Sequence, residues 1–195
     1  MEYIFEDYTK TKKVYHIVSL NDLDRVIKNG ICYDDKITYN TKYKGFHDYI
    51  DKFKGKNIPS WVMRSKCIFA SLNYKKDHNF HSHSAILSVN IDEERCWIAN
   101  ENLANVIYEP FALRNTVTFE NCKSFLDKNG ERILKKYWDT SISFKENLKV
   151  RKDLKKGYDA EVLICHPISK EDIQILYICS DHKIMSLEQF NMYFS

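Results

Sequence analysis

At 195 residues the chain reads as a single domain, 1-195, long enough to bury a substantial core. Hydrophobic residues make up 44% and charged residues 29%, a balance that excludes a disordered chain. The net charge of +3 is too small to demand a polyanionic partner, so nucleic acid is left to a local basic patch.

The N-terminal "MEYIFEDYTKTKK" has no long apolar core and no small-residue cleavage site, so it does not read as a secretory signal. No apolar run approaches the roughly 18–20 residues of a membrane span. A cytoplasmic protein without a membrane partner is expected. Cys32, Cys67, Cys96, Cys122, Cys165 and Cys179 are scattered, with no CxxC spacing, and read as free thiols of a reducing compartment.

"KVYHIVS" (13–19) alternates, with Val14, His16 and Val18 on one face, and predicts a strand. Asn21 then caps a short helix that Gly30 closes. Phe46, Tyr49, Ile50 and Phe53 recur at helical spacing before Gly55, and Cys67 to Ser71 reads as a second strand. "SAILSVNI" (84–91) predicts another strand and "NENLANVIY" (100–108) a helix. The longest helix is expected over 119–139, weakened by Gly130.

After a basic stretch, "GYDAEVLICHPI" (157–168) reads as a strand with Glu161 inside it, and "IQILYIC" (173–179) as a further strand. Ser186 and Gln189 resemble a capping box opening a C-terminal helix. Strands spread over both ends, without regular βαβ alternation, predict an α+β fold.

His16, Arg64 and Glu161 each interrupt or adjoin a strand-like segment. Singly, they read as a hydrogen-bonded core histidine, a surface arginine and an edge-strand carboxylate facing water. An ionised, unpaired carboxylate among Val162, Leu163 and Ile164 costs several kcal/mol. In order, "YHIVSLNDLDRVIKNGI", "PSWVMRSKCIFAS" and "YDAEVLICHPISKEDIQILYI" resemble the ADP-ribosyltransferase superfamily, closest to the DarT-like bacterial toxin-type transferases.

The resemblance implies a split, mixed β-sheet core flanked by helices. It implies cleavage of the nicotinamide–ribose bond of NAD⁺, the co-substrate, and transfer of ADP-ribose to a macromolecular acceptor. By similarity Glu161 is the catalytic carboxylate, His16 binds the adenosine-side ribose and Arg64 the diphosphate, with Lys54 and Lys66 as competitors for that last role. Ser71 resembles the serine closing the second strand, and Tyr74 or Tyr108 could stack on nicotinamide. Asp159, two residues before Glu161, stands where many protein-modifying transferases carry Glu or Gln; it also suits a turn after Gly157.

The basic run before Glu161, Lys145, Lys149, Arg151, Lys152, Lys155 and Lys156, reads as a solvated face or as acceptor contacts. Cations in the superfamily's acceptor loop favour phosphates, hence a DNA-modifying toxin or defence effector with an antitoxin partner. The alternatives are a protein-modifying transferase, an NAD⁺ glycohydrolase, and a non-catalytic nucleotide-binding module of the same fold. His78, His81 and His83 lack a second ligand pair, so no metal is expected. Cys165 and His166 are strand neighbours pointing to opposite faces, a poor nucleophile–base pair.

Overall fold

In the computed structural model, which describes residues 2–34, 43–181 and 183–195, a one-turn helix α1 (Tyr8–Thr11) precedes the alternating segment that forms β1 (Val14–Ser19). β1 runs straight into α2 (Leu20–Asn29). The helix cap is therefore Ser19 rather than the expected Asn21: the Ser19 hydroxyl accepts from the Asn21 N–H at 3.3 Å. Gly30 follows at φ +80°, and a Cβ there would lie 2.2 Å from the Ile168 carbonyl oxygen, so only glycine fits.

α3 (Lys44–Asp51) and a tight turn at Arg64–Lys66 lead into β2 (Ile68–Ser71) and then β3 (Ser84–Val89). β4 (Cys96–Asn100), absent from the sequence reading, feeds directly into α4 (Glu101–Leu113). The expected long helix is α5 (Glu120–Phe125) and α6 (Glu131–Asp139), joined by a π turn over Leu126–Gly130. β5 (Ile142–Ser143) and α7 (Phe144–Val150) come next; part of the basic run is thus helical. β6 (Ala160–Ile164), β7 (Ile173–Ser180), β8 (Lys183–Ser186) and α8 (Leu187–Phe194) follow, α8 opening on the Ser186–Gln189 capping box.

The strands form one sheet in the order β5-β4-β6-β2-β1-β3-β7-β8. The expectation of a mixed sheet is corrected, because every described pair is antiparallel. Even the helical excursions from β1 to β2 and from β4 to β5 return the chain at the end where it left, and no parallel pair arises. β1 and β3 share six register pairs, but β1 and β2 share only Tyr15↔Ser71.

Period-two alternation divides the core. Val162 and Ile164 pack with Val14, Val18, Ile68, Ala70 and Phe144 on one face. Leu163 packs on the other with Ala99 and with Ile50, Ile107, Leu134 and Trp138 from α3, α4 and α6. Glu161 shares this second, helix-covered face.

The register Ile68↔Ile164 sets Cys67 opposite Cys165, and the two form a disulfide with Cα atoms 4.6 Å apart. This corrects the reading of all six cysteines as thiols; a partner 98 residues away is invisible to spacing rules. Cys32, Cys96, Cys122 and Cys179 stand outside this bond. No described helix is long and apolar enough to cross a membrane.

Candidate active site

Glu161 sits on the third strand from the sheet edge, hydrogen-bonded on both sides through the pairs Ser71↔Glu161 and Ala99↔Glu161. It is 4% exposed, so the reading of a wet edge-strand carboxylate is corrected. Its Oε1 accepts from Arg64 Nη1 in a buried ion pair and from the Tyr137 hydroxyl at 2.7 Å. Arg64 Nη1 also donates to the Tyr137 oxygen at 2.6 Å, closing a three-membered network. Burial drives the Tyr137 phenol far above its ordinary value, so it remains a donor. Both bonds to Glu161 fall on Oε1, which leaves Oε2 without a hydrogen-bond partner among the described residues.

Arg64 is fastened from several directions. Its Nε donates to His47 Nδ1 at 3.0 Å, and its guanidinium carbon lies 4.7 Å from the Phe69 ring centroid and 5.3 Å from that of Tyr137. Burial, then the positive charge of Arg64, push His47 down to about 2, so the imidazole is neutral and able to accept. The Asp51 carboxylate accepts from the Arg64 and Ser65 backbone N–H groups at 2.8 and 2.9 Å, pinning the turn. Burial alone would favour the neutral guanidine, but Glu161 and Tyr137 outweigh it and hold Arg64 above its ordinary value. With Nε and Nη1 both engaged inside the protein, Arg64 has no open fork for a diphosphate. Its place is beside Glu161.

Where the β1–β2 ladder stops, the His16 ring reaches across: its Nδ1 donates to the Phe69 carbonyl at 2.6 Å. His16 is buried, and alternation sets it with Val14 and Val18, on the face opposite Glu161. Ser71 stands between Tyr15 and Glu161 in the sheet. Tyr74 is buried, with its ring 4.8 Å from His78 and 5.0 Å from Phe80 and its hydroxyl 3.4 Å from the Tyr15 carbonyl it donates to. Tyr108 is packed against Tyr43 and Phe46.

A cleft of about 510 Å³ opens where the ends of β2, β4 and β6 meet, a size within the range of small-ligand and cofactor sites. Of the residues singled out from sequence, Ser71, Tyr74, Arg151, Lys155 and Asp159 line it; His16, Arg64, Lys149, Lys152, Lys156 and Glu161 do not. The lining holds the carboxylates of Asp7, Asp77, Glu101, Asp153 and Asp159 against the cations Lys75, Arg151 and Lys155. Burial would raise Asp7, but hydrogen bonds from Arg151 and Thr9 outweigh it and hold the carboxyl at about 2.

The basic run is largely answered by carboxylates. Lys145 pairs with Glu94, Lys149 with Glu146, and Arg151 with Asp7 and Asp153. Lys152 Nζ donates to the Thr140 carbonyl at 2.5 Å. Lys155 and Lys156 are exposed and have no carboxylate partner among the described residues. Among the cations expected as acceptor contacts, these two alone have neither a carboxylate nor a carbonyl partner among the described residues.

Sequence reasoning missed His47, Asp51, Tyr137 and Glu101. His47 and Asp51 are four residues apart on one helix face, a signal that was present in "HDYID". Tyr137 falls inside the helix expected over 119–139, where nothing in the sequence sets it apart from its apolar neighbours. Among the described residues, no group of three or more His, Cys, Asp or Glu side chains is gathered as a metal site. Comparison with protein-family models, with characterised proteins and with solved structures returns no match to this chain.

Proposed function

We propose that the chain is an NAD⁺-dependent mono-ADP-ribosyltransferase of toxin or defence type, with Glu161 as its catalytic carboxylate. The observation that carries this reading is the adjacency of the three motif strands. Glu161 lies across from Ser71, and Ser71 across from Tyr15, beside His16. Those segments are distant in sequence; Ser71, paired with Glu161, lines a ligand-sized cleft, while His16 faces the other side of the sheet and keeps no part in it.

In this reading the ribose of NAD⁺ docks at Ser71, the cleft residue paired with Glu161, and Oε2 is the carboxylate oxygen left for a ribose hydroxyl. As neutral nicotinamide leaves, positive charge develops on the ribose, and a fixed carboxylate in dry surroundings stabilises it. Arg64 and Tyr137 hold the other oxygen, so the carboxylate needs no reorganisation when the charge appears. Tyr74 is an aromatic residue of the cleft lining.

Lys155 and Lys156 are the cations left to meet a nucleic-acid acceptor. A protein acceptor is the second reading, favoured by the five carboxylates in the cleft lining, which suit a neutral or cationic side chain better than a polyanion. The test is nicotinamide release from NAD⁺ by the native chain and by Glu161→Gln. A loss of about 10²–10³-fold in the variant is expected. Equal turnover in both removes Glu161 from the chemistry, and NAD⁺ binding without turnover in either supports a binding module instead.

A further inference from the structure

Glu101 begins α4 and lines the cleft. Its backbone N–H donates to the Asp159 carbonyl at 2.8 Å. The preceding Asn100 clamps the same loop, accepting from the Asp159 N–H at 3.2 Å and donating to the Gly157 carbonyl at 3.3 Å. Since Ala99 pairs with Glu161 and Asn100 with Ala160, this clamp brings the Glu101 carboxyl into the cleft close to the buried Glu161.

The transferase chemistry above leaves a proton without a destination. When a nucleophile X–H attacks the ribose, the X–C1′ bond forms and the bond from C1′ to the nicotinamide nitrogen breaks. The electron pair of that bond leaves with nicotinamide, which becomes neutral, and the proton of X must go to a base. Nothing is oxidised or reduced. Glu161 is badly placed to take it: protonation would leave the Arg64 guanidinium unpaired in a dry layer.

We infer that Glu101 is the general base of the cleft, taking the proton of the acceptor while Glu161 stabilises the ribose. This rests on the transferase reading. The groups facing Glu101 are Glu161 from β6, Asp159 from the preceding loop, Arg64 from the turn before β2 and Asn105 on its own helix, with Asp77, His78, Asp153 and Lys155 in the same lining. Burial first, then the like charges of Glu161 and Asp159, push the Glu101 carboxyl up to about 7 against Arg64 and Asn105. A base of that strength is matched to neutral solution, and the open cleft lets it return the proton to water.

The test is the pH profile of nicotinamide release from NAD⁺ between about pH 5.5 and 9, in buffer and with a mixed pool of DNA, RNA and protein. The native rate is expected to rise through neutrality as Glu101 ionises, a limb set by a base near its operating pH. Glu101→Gln should lower kcat by about 10²-fold with little change in KM, and remove that limb. Glu101→Asp should restore part of both, which separates a chemical role from a folding defect. A native kcat and an intact limb in Glu101→Gln would overturn the inference and leave the transferase reading standing. Absence of NAD⁺ turnover by the native chain would instead remove the transferase reading, and this inference with it.

Discussion

Glu161 and Arg64 meet in a layer where both side chains are almost fully buried, with Tyr137 bonded to each. Each ion costs several kcal/mol to desolvate, and only the pairing offsets it. Arg64→Ala is therefore expected to lower the unfolding free energy by about 3–5 kcal/mol, read as a shift of the urea midpoint. A loss below about 1 kcal/mol, the value of an exposed pair, would mean that water reaches Glu161. Arg64→Lys should recover little, since an ammonium cannot reproduce the planar fork that serves His47, Tyr137 and Glu161 together. Glu101 carries the opposite sign. Its carboxyl is raised from 4.5 to about 7, with burial the leading cause, so ionising it destabilises the fold as pH rises between those values. Glu101→Gln is expected to raise Tm at pH 8 and to leave it nearly unchanged at pH 4. An equal shift at both pH values would contradict the raised carboxyl.

At the scale of elements, β1 and β6 were legible because alternation and apolar runs survive in six and five residues. β4 was not. Four of its five residues, "CWIAN", are buried, so covered faces erase the alternation that marks a strand. α7 was hidden for a different reason: Phe144 and Asn147 face inward while Lys145 and Lys149 face out, and seven residues are too few to show a helical period. Glu161, Arg64 and His16 were each visible as polar residues among apolar neighbours. That Glu161 and Arg64 bond to one another was not visible, because 97 residues separate them and only the β2–β6 register joins them. The Cys67–Cys165 disulfide belongs to the same register. Alkylation under denaturing, non-reducing conditions is expected to label four cysteines, and six labels would contradict the bond. Reduction should lower stability by about 2–4 kcal/mol, since the bond closes a long loop in the unfolded chain.

Across the whole molecule, charge and cavity point in different directions. The net charge is positive, yet much of the basic run is neutralised by Glu94, Glu146, Asp7 and Asp153, and the cleft lining is rich in carboxylates. If Lys155 and Lys156 are the phosphate contacts, single-stranded DNA binding should weaken with a log–log salt slope of about −1.4, two contacts' worth. A much steeper slope would place the contacts on another surface. One reaction underlies the roles proposed for Glu161 and Glu101, and labelled NAD⁺ reads it directly. The native chain and Glu161→Gln are incubated with NAD⁺ labelled in the ADP-ribose part and with separate pools of single-stranded DNA, duplex DNA, RNA and protein. The predicted result is nicotinamide release with the label fixed to one pool by the native chain, and neither event with Glu161→Gln. No nicotinamide release by the native chain in any pool would contradict it.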